Sequence, residues 1–200
     1  MSNYVPKDLE FDQEGRDKLI SGISKISKAV KSTLGPRGKT VLIESSNHTQ
    51  GITITKDGVT VAESISLIDP VENLAITMMK DAARRTANSA GDGTTTAIVL
   101  TEALVKAGEE FLKPEHNITE VVKSIKVITD KVVSSLEHGS RKVTSLMLKD
   151  VATISSNNDS DLGQIISEAY DKVGVNGIVT VESSQNHETY ATVTNGIKVD

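Results

Sequence analysis

The chain has 200 residues, 37% of them hydrophobic and 24% charged, with 22 basic against 27 acidic side chains and a formal net charge of −5. That balance is globular, and without a basic block it disfavours a nucleic-acid partner. With no cysteine it excludes disulfides and zinc–thiolate sites, and with only three tyrosines, two phenylalanines and no tryptophan the core must be aliphatic. The start, MSNYVPKDLEF, has neither the basic segment nor the apolar run of a signal peptide. No aliphatic run is long enough to span a bilayer, so the expectation is a cytoplasmic protein with no membrane partner.

Leu19, Ile23, Ile26, Val30 and Leu34 recur at spacings of three and four, which predicts a helix from about Asp12 to Thr33. LGPRGK (34–39) stops it with glycine and proline. TVLIE (40–44) and ITITK (52–56) read as two strands joined by the polar hairpin loop SSNHTQG, and KDG (56–58) turns the chain into a short helical piece. A second stripe, Val71, Leu74, Met78 and Ala82, follows Pro70 and predicts a helix to about Ser89, stopped by Gly91. A third helix places Ala97, Leu100, Leu104 and Phe111 on one face and ends at Pro114; a fourth turns Ile118, Val121, Val122, Ile125, Ile128, Val132 and Leu136 inward. EHGSR (137–141) reads as a break and a domain boundary near Gly139. Beyond it, two shorter helices (about 142–153 and 161–173) lead through GVNG to the alternating segments IVTVE (178–182) and TYATVT (189–194), read as strands.

Several stretches imitate known motifs. GPRGKT (35–40) ends like a phosphate-binding P-loop, but Thr33 stands where the first glycine belongs, and a helix precedes it where a strand should. NNDSDLGQIISE (157–168) imitates a calcium loop, with Leu162 where the sixth-position glycine is required; capping of the next helix by Ser160 or Asp161 is the plainer reading. His48, His116, His138 and His187 all fall in expected loops, and none pairs at metal-ligand spacing. Asn47 and Asn117 head Asn-x-Ser/Thr sites, which mean little without a secretory signal.

AGDGTTTA (90–97) carries more. Three threonines are mediocre helix formers, yet they offer hydroxyls and N–H groups at the positive end of a helix, where phosphate binds. Gly91 and Gly93 allow close backbone approach. Asp92 in their midst has two readings: a helix cap, or a carboxylate holding Mg²⁺ on a nucleotide phosphate in place of the absent lysine. Asp57, before a glycine at a strand end, reads alone as a turn residue.

TLGPRGKTV (33–41), TITKDGVTVA (53–62), AGDGTTTA (90–97), VATIS (151–155) and DKVGVNGIVTVE (171–182), in that order along almost the whole chain, resemble the group I chaperonins, the GroEL-like proteins. The resemblance implies a mainly α fold with small β elements. Residues 1–138 would be the N-terminal, helical half of an equatorial ATPase domain, residues 139–196 the first part of an α/β intermediate domain, and 197–200 the start of an apical domain. It implies ATP, Mg²⁺ and K⁺ as cofactors. Thr33, Leu34, Gly35 and Pro36 would wrap the nucleotide, and Lys56, through its carbonyl, would lie near K⁺ with Thr33 and Thr95. Asp92 would ligate Mg²⁺, Gly93, Thr94, Thr95 and Thr96 would hold the phosphates, and Asp57 would orient the attacking water. Ile154 and Ser155 would meet the nucleotide when the intermediate domain swings down.

The implied function is ATP-dependent protein folding in a homo-oligomeric ring. Unfolded clients and a co-chaperonin would bind an apical domain of which these residues hold only the start, 197–200, just past the expected upper hinge at Gly196. The principal catalytic carboxylate of such proteins is also missing, so these 200 residues are expected to turn ATP over weakly or not at all. The alternative is a non-catalytic module that binds nucleotide or co-assembles with full subunits. Two local departures stand out: SSNHTQG is longer than usual for the family hairpin, and EHGSR lacks the proline expected near the lower hinge. The stripes at 71–82 and 118–136 are expected to need partners outside these residues, so the isolated chain should expose apolar surface and associate.

Overall fold

Ile26, Val30, Val61, Ala62, Ile76, Met79, Ala83 and Ile98 form one buried aliphatic cluster, drawn from four helices. A computed structural model describes residues 9–44, 51–174 and 177–196. In chain order the elements are α1 (Asp12–Lys31), β1 (Val41–Glu44), β2 (Ile52–Thr55), α2 (Gly58–Ser64), α3 (Pro70–Ala90), α4 (Thr94–Phe111), α5 (Ile118–Gly139), α6 (Ser145–Ser155) and α7 (Ser160–Val173). By packing they fall into two units, Met1–Ile118 and Thr119–Asp200.

In the first unit α1, α3 and α4 pack on one another around the cluster. Gly22 lets α1 approach the backbone of Glu72 closely, since a Cβ there would overlap the Glu72 carbonyl. Ser21 donates to the Glu72 carboxylate at 2.7 Å and Lys25 binds it from the next turn. Asp69 caps α3, accepting from the amides of Val71 and Glu72, with Pro70 in the first turn where its missing N–H costs nothing. Strands β1 and β2 form the expected antiparallel pair, Val41 opposite Thr55 and Glu44 opposite Ile52. Val41 and Ile43 lean on the cluster, whereas Ile52 and Ile54 face solvent. The loop joining them, with Asn47 and His48, lies outside the described residues apart from Gly51.

The helices stand where periodicity put them, but their buried faces are rotated. In α3 the buried residues are Ala75, Ile76, Met79 and Ala83, while Leu74 and Met78 of the expected stripe are 57% and 67% exposed. In α4 Ile98 and Glu102 are buried, and Leu100, Leu104 and Phe111 are exposed. Between α1, α3 and α4 lies an open groove of about 830 Å³, whose wall includes Leu19, Ile23, Met78, Ala82, Leu104 and Leu112. Met78 and Leu104 face that groove, whereas Leu74, Leu100 and Phe111 are exposed outside it.

In the second unit α6 and α7 pack together, with Gly163 set against Thr153 so closely that a Cβ would lie 2.8 Å from the Thr153 Cα. None of α5 is buried, so the inward face expected for Ile118–Leu136 is not formed among the described residues. The helix runs through Glu137 and His138 to Gly139, which moves His138 from a loop to a last turn. Asp159 caps α7, accepting from the amides of Asp161 and Leu162 at 3.0 Å each, where Ser160 or Asp161 had been expected. The segments 178–182 and 189–194 are not strands. Alternation alone does not make a strand: it needs a ladder, neither segment is in strand conformation, and Ile178 and Val181 are exposed. Val175, Asn176 and residues 197–200, the expected start of an apical domain, lie outside the described set.

Candidate functional site

The first piece of the site is the end of α1. The Val30 carbonyl accepts both the Thr33 amide at 3.0 Å and the Thr33 hydroxyl at 2.8 Å, which buries Thr33 against the last turn. Leu34 donates its amide to Lys31, and Lys39 donates to Ser32 at 2.7 Å, so residues 32–39 close into a loop. Gly35 takes a left-handed φ of 75°, and Gly38 lies against the Thr33 carbonyl with no room for a Cβ. Leu34, Gly35 and Pro36 stay exposed on the outside of that loop.

The second piece is the turn from β2 into α2, where Lys56 and Asp57 are both exposed. Asp57 caps α2: one oxygen accepts the Thr60 amide at 2.9 Å and the Thr60 hydroxyl at 2.6 Å, the other the Val59 amide at 3.3 Å. Partial burial works to raise its pKa, but the hydrogen bonds from Thr60 and Val59 outweigh it and hold the carboxyl below its ordinary value.

The third piece is the α3–α4 turn. Gly91 ends α3 with φ 73° and Gly93 opens α4 with φ 81°, both left-handed, which explains the two glycines around Asp92. Among the described residues the exposed Asp92 carboxylate accepts only the neighbouring Gly93 amide, at 2.6 Å. It therefore does not cap the helix, and α4 begins with no side-chain cap at all. The first intrahelical bond is Ala97 N–H to the Gly93 carbonyl, so the amides of Thr94, Thr95 and Thr96 precede the ladder at the positive helix end.

The three pieces meet at Gly58. A Cβ there would overlap the Thr95 hydroxyl and stand 3.2 Å from the Thr95 Cβ and 3.3 Å from a Val30 methyl. The first turn of α2 is thus pressed onto the first turn of α4 and onto the turn of α1 that holds Thr33. Ile154 and Ser155 are exposed in the last turn of α6, in the second unit.

Gly58 and Glu102 are the residues that sequence reasoning passed over. KDG reads as a turn, which hides that its glycine is needed for close approach. Glu102 looks like a surface residue of a polar-faced helix; its burial emerges only when Lys31 and Lys106 are placed beside it.

The nucleotide and magnesium implied by the resemblance are compatible with these residues. The uncapped amides suit phosphate oxygens, and the second Asp92 oxygen, which accepts no hydrogen bond among the described residues, suits a cation. Among the described residues no three acidic or histidine side chains cluster as a metal site. An ion at Asp92 would take its other ligands from phosphate and water. Nor is any described helix long and apolar enough to cross a membrane.

The model of the TCP-1/cpn60 chaperonin family matches residues 26–200. Over 199 residues the chain is 39% identical to Chaperonin GroEL 1 of Rhodopirellula baltica, an alignment covering 98% of this chain and 34% of that protein. Two crystal forms of the chaperonin gp146 from the bacteriophage EL 2 (Pseudomonas aeruginosa), determined in the presence of ATP-BeFx, superpose with TM-scores of 0.70 and 0.71. They are 32% identical to this chain and cover 80% of it, against 28% of their own length. The chain therefore spans about a third of the length of the curated relative it matches.

Proposed function

The chain belongs to the TCP-1/cpn60 chaperonin family, and from that premise we propose that it forms the Mg-ATP-binding part of an ATP-dependent folding chaperone. Residues 1–138 are the N-terminal portion of the equatorial ATPase domain, 139–196 the first portion of the intermediate domain, and 197–200 the start of the apical domain. The amides and hydroxyls of Thr94, Thr95 and Thr96, with Gly93, take the phosphates. Asp92 holds Mg²⁺, which supplies the charge neutralisation that a P-loop lysine would give. Thr33, Leu34, Gly35 and Pro36 cover the nucleotide, and the Lys56 carbonyl with Thr33 and Thr95 takes K⁺. Ile154 and Ser155 are the residues of the intermediate portion that would contact nucleotide. Ring assembly, folding clients, a co-chaperonin and a cytoplasmic setting belong to the complete subunit.

The observation that carries this reading is the start of α4. A helix opening on three threonines, with a carboxylate next to it that caps nothing, is poor design for stability and good design for a bound metal–phosphate. Asp57 fits an orienting role. Its lowered pKa makes it a weak proton acceptor at neutral pH, and Oδ1, which accepts only the long bond from Val59, is the freer oxygen to hold a water. The test is Mg-ATP binding by calorimetry, with and without Mg²⁺, on wild type and Asp92→Ala. Mg²⁺-dependent binding that Asp92→Ala abolishes is expected. Binding indifferent to both metal and Asp92 would refute the reading.

A further inference from the structure

Glu102 is a carboxylate buried to 8% exposure in the middle of α4, beside the fully buried Ile98. It accepts from Lys106, one turn along the same helix, at 2.7 Å. It also faces Lys31, in the last residue of α1, at 3.7 Å. Both lysines keep their ends near solvent, so the ion pairs are half-wet while the carboxylate is not.

We propose that Glu102 is a positioning residue for the nucleotide site, acting through Lys31; this rests on the reading of Thr33–Pro36 and Thr94–Thr96 as that site. Lys31 is part of the site's scaffold. Its carbonyl accepts the Leu34 amide, and the carbonyl of its neighbour Ser32 accepts Lys39, closing the loop that carries Thr33 to Pro36. Glu102 lies eight residues, roughly 12 Å of helix, from Thr94. The pair ties the nucleotide loop at the end of α1 to a rigid helix whose other end is the phosphate cradle. Aliphatic contacts between Val30 and Ile98 bury area but are non-directional. A charge contact adds what they lack, a preferred axial register between the two helices. Lys106 sits on the same helix as Glu102 and cannot supply register. Its role is to neutralise the buried carboxylate.

The separation of roles gives a test on the 200-residue chain with Mg-ATP as probe. Glu102→Gln and Lys31→Ala should each weaken Mg-ATP binding about two- to fivefold, the range a half-exposed ion pair supports. The double variant should bind no worse than the singles, because one contact is being removed twice. Lys106→Ala should bind as wild type. Glu102→Leu separates register from stability: it should melt at or above the wild-type temperature, because it removes a desolvated carboxylate and leaves both lysines half in solvent, yet bind Mg-ATP as weakly as Glu102→Gln. Additive losses in the double variant, or wild-type affinity in Lys31→Ala, would overturn the proposal. Hydrogen exchange supplies a readout without nucleotide: the Leu34 and Lys39 amides should exchange faster in Lys31→Ala than in wild type. If wild type fails to bind Mg-ATP, the site reading has failed, and this exchange measurement still decides the tether, with unchanged protection sinking it.

Discussion

Gly58→Ala is the sharpest perturbation available, because two effects oppose each other and the structure says which wins. Gly58 is the first residue of α2 and has an ordinary backbone conformation, so alanine would gain up to about 1 kcal/mol of helix propensity. Against that, the new methyl would overlap the Thr95 hydroxyl and press to 3.2 Å on the Thr95 Cβ and 3.3 Å on Val30. The hydroxyl can rotate away, but the other two atoms belong to a helix turn and to a core side chain with no exposure. Overpacking of this kind costs about 1–3 kcal/mol. The net is a loss of about 1 kcal/mol, which lowers Tm by roughly 3–6 °C for a unit of this size. Chemical and thermal unfolding of the variant measure it directly. Thr95→Ala removes the overlapping hydroxyl, so in the double variant the cost of alanine at 58 should fall, giving a coupling of about 0.5 kcal/mol or more. A Gly58→Ala chain as stable as wild type, with no coupling to Thr95, would show that α2 and α4 do not meet as described.

Asp57→Ala should cost about 0.5–2 kcal/mol through loss of the α2 cap, and Thr60→Ala should recover part of that loss in a double cycle, since Thr60 bonds the same carboxylate. Asp92→Ala should leave the unfolding free energy within about 0.5 kcal/mol of wild type, because the carboxylate caps nothing; a large drop would make it a structural cap after all. Asp57, Asp69 and Glu72 all have lowered pKa values, Asp69 chiefly from the Glu72 amide and Glu72 chiefly from Lys25. Their stabilisation is complete above the ordinary carboxylate range near pH 4 and is lost as pH falls through their folded values, so Asp57→Asn/Asp69→Asn should flatten the acid limb of a pH–stability curve. The exposed aliphatic face of α5 predicts reversible association by sedimentation, reduced by Ile125→Glu and Val132→Glu; a concentration-independent monomer would count against it.

How much was legible depended on whether a feature is local. Helix positions follow from periodicity and from Pro70, Gly91 and Pro114, and the observed bounds of α1 and α3 differ from expectation by at most about two residues. The β1–β2 pair was legible because both strands and their turn lie within 15 residues. The buried face of each helix was not. Leu74, Met78 and Leu104 are larger and more apolar than Ala75, Ala83 or Glu102, yet what decides burial is which neighbour stands opposite, and that is tertiary. The segments at 178–182 and 189–194 failed for the same reason: alternation describes a strand's faces and says nothing of its partner. At the candidate site, residue type marked Asp92 and Thr94–Thr96, and Asp57 read alone as a turn residue whose site role came only from the resemblance, whereas the convergence on Gly58 required seeing α2 and α4 side by side.

That convergence makes two helix N-termini neighbours with opposite fates. The start of α2 is already answered by the Asp57 carboxylate, which stays ionised because Thr60 and Val59 donate to it. The start of α4 is answered by no side chain. An anion arriving at this corner would therefore meet a repelling carboxylate on one side and open donors on the other, so its position is set by exclusion as well as attraction. A cation beside Asp92 would offset that carboxylate and add to the attraction on the α4 side. On this argument phosphate affinity should depend steeply on Mg²⁺ in wild type. Asp57→Asn, which removes the repulsion while keeping an acceptor for the cap, should tighten binding of inorganic phosphate in the absence of metal; unchanged affinity would place the anion elsewhere.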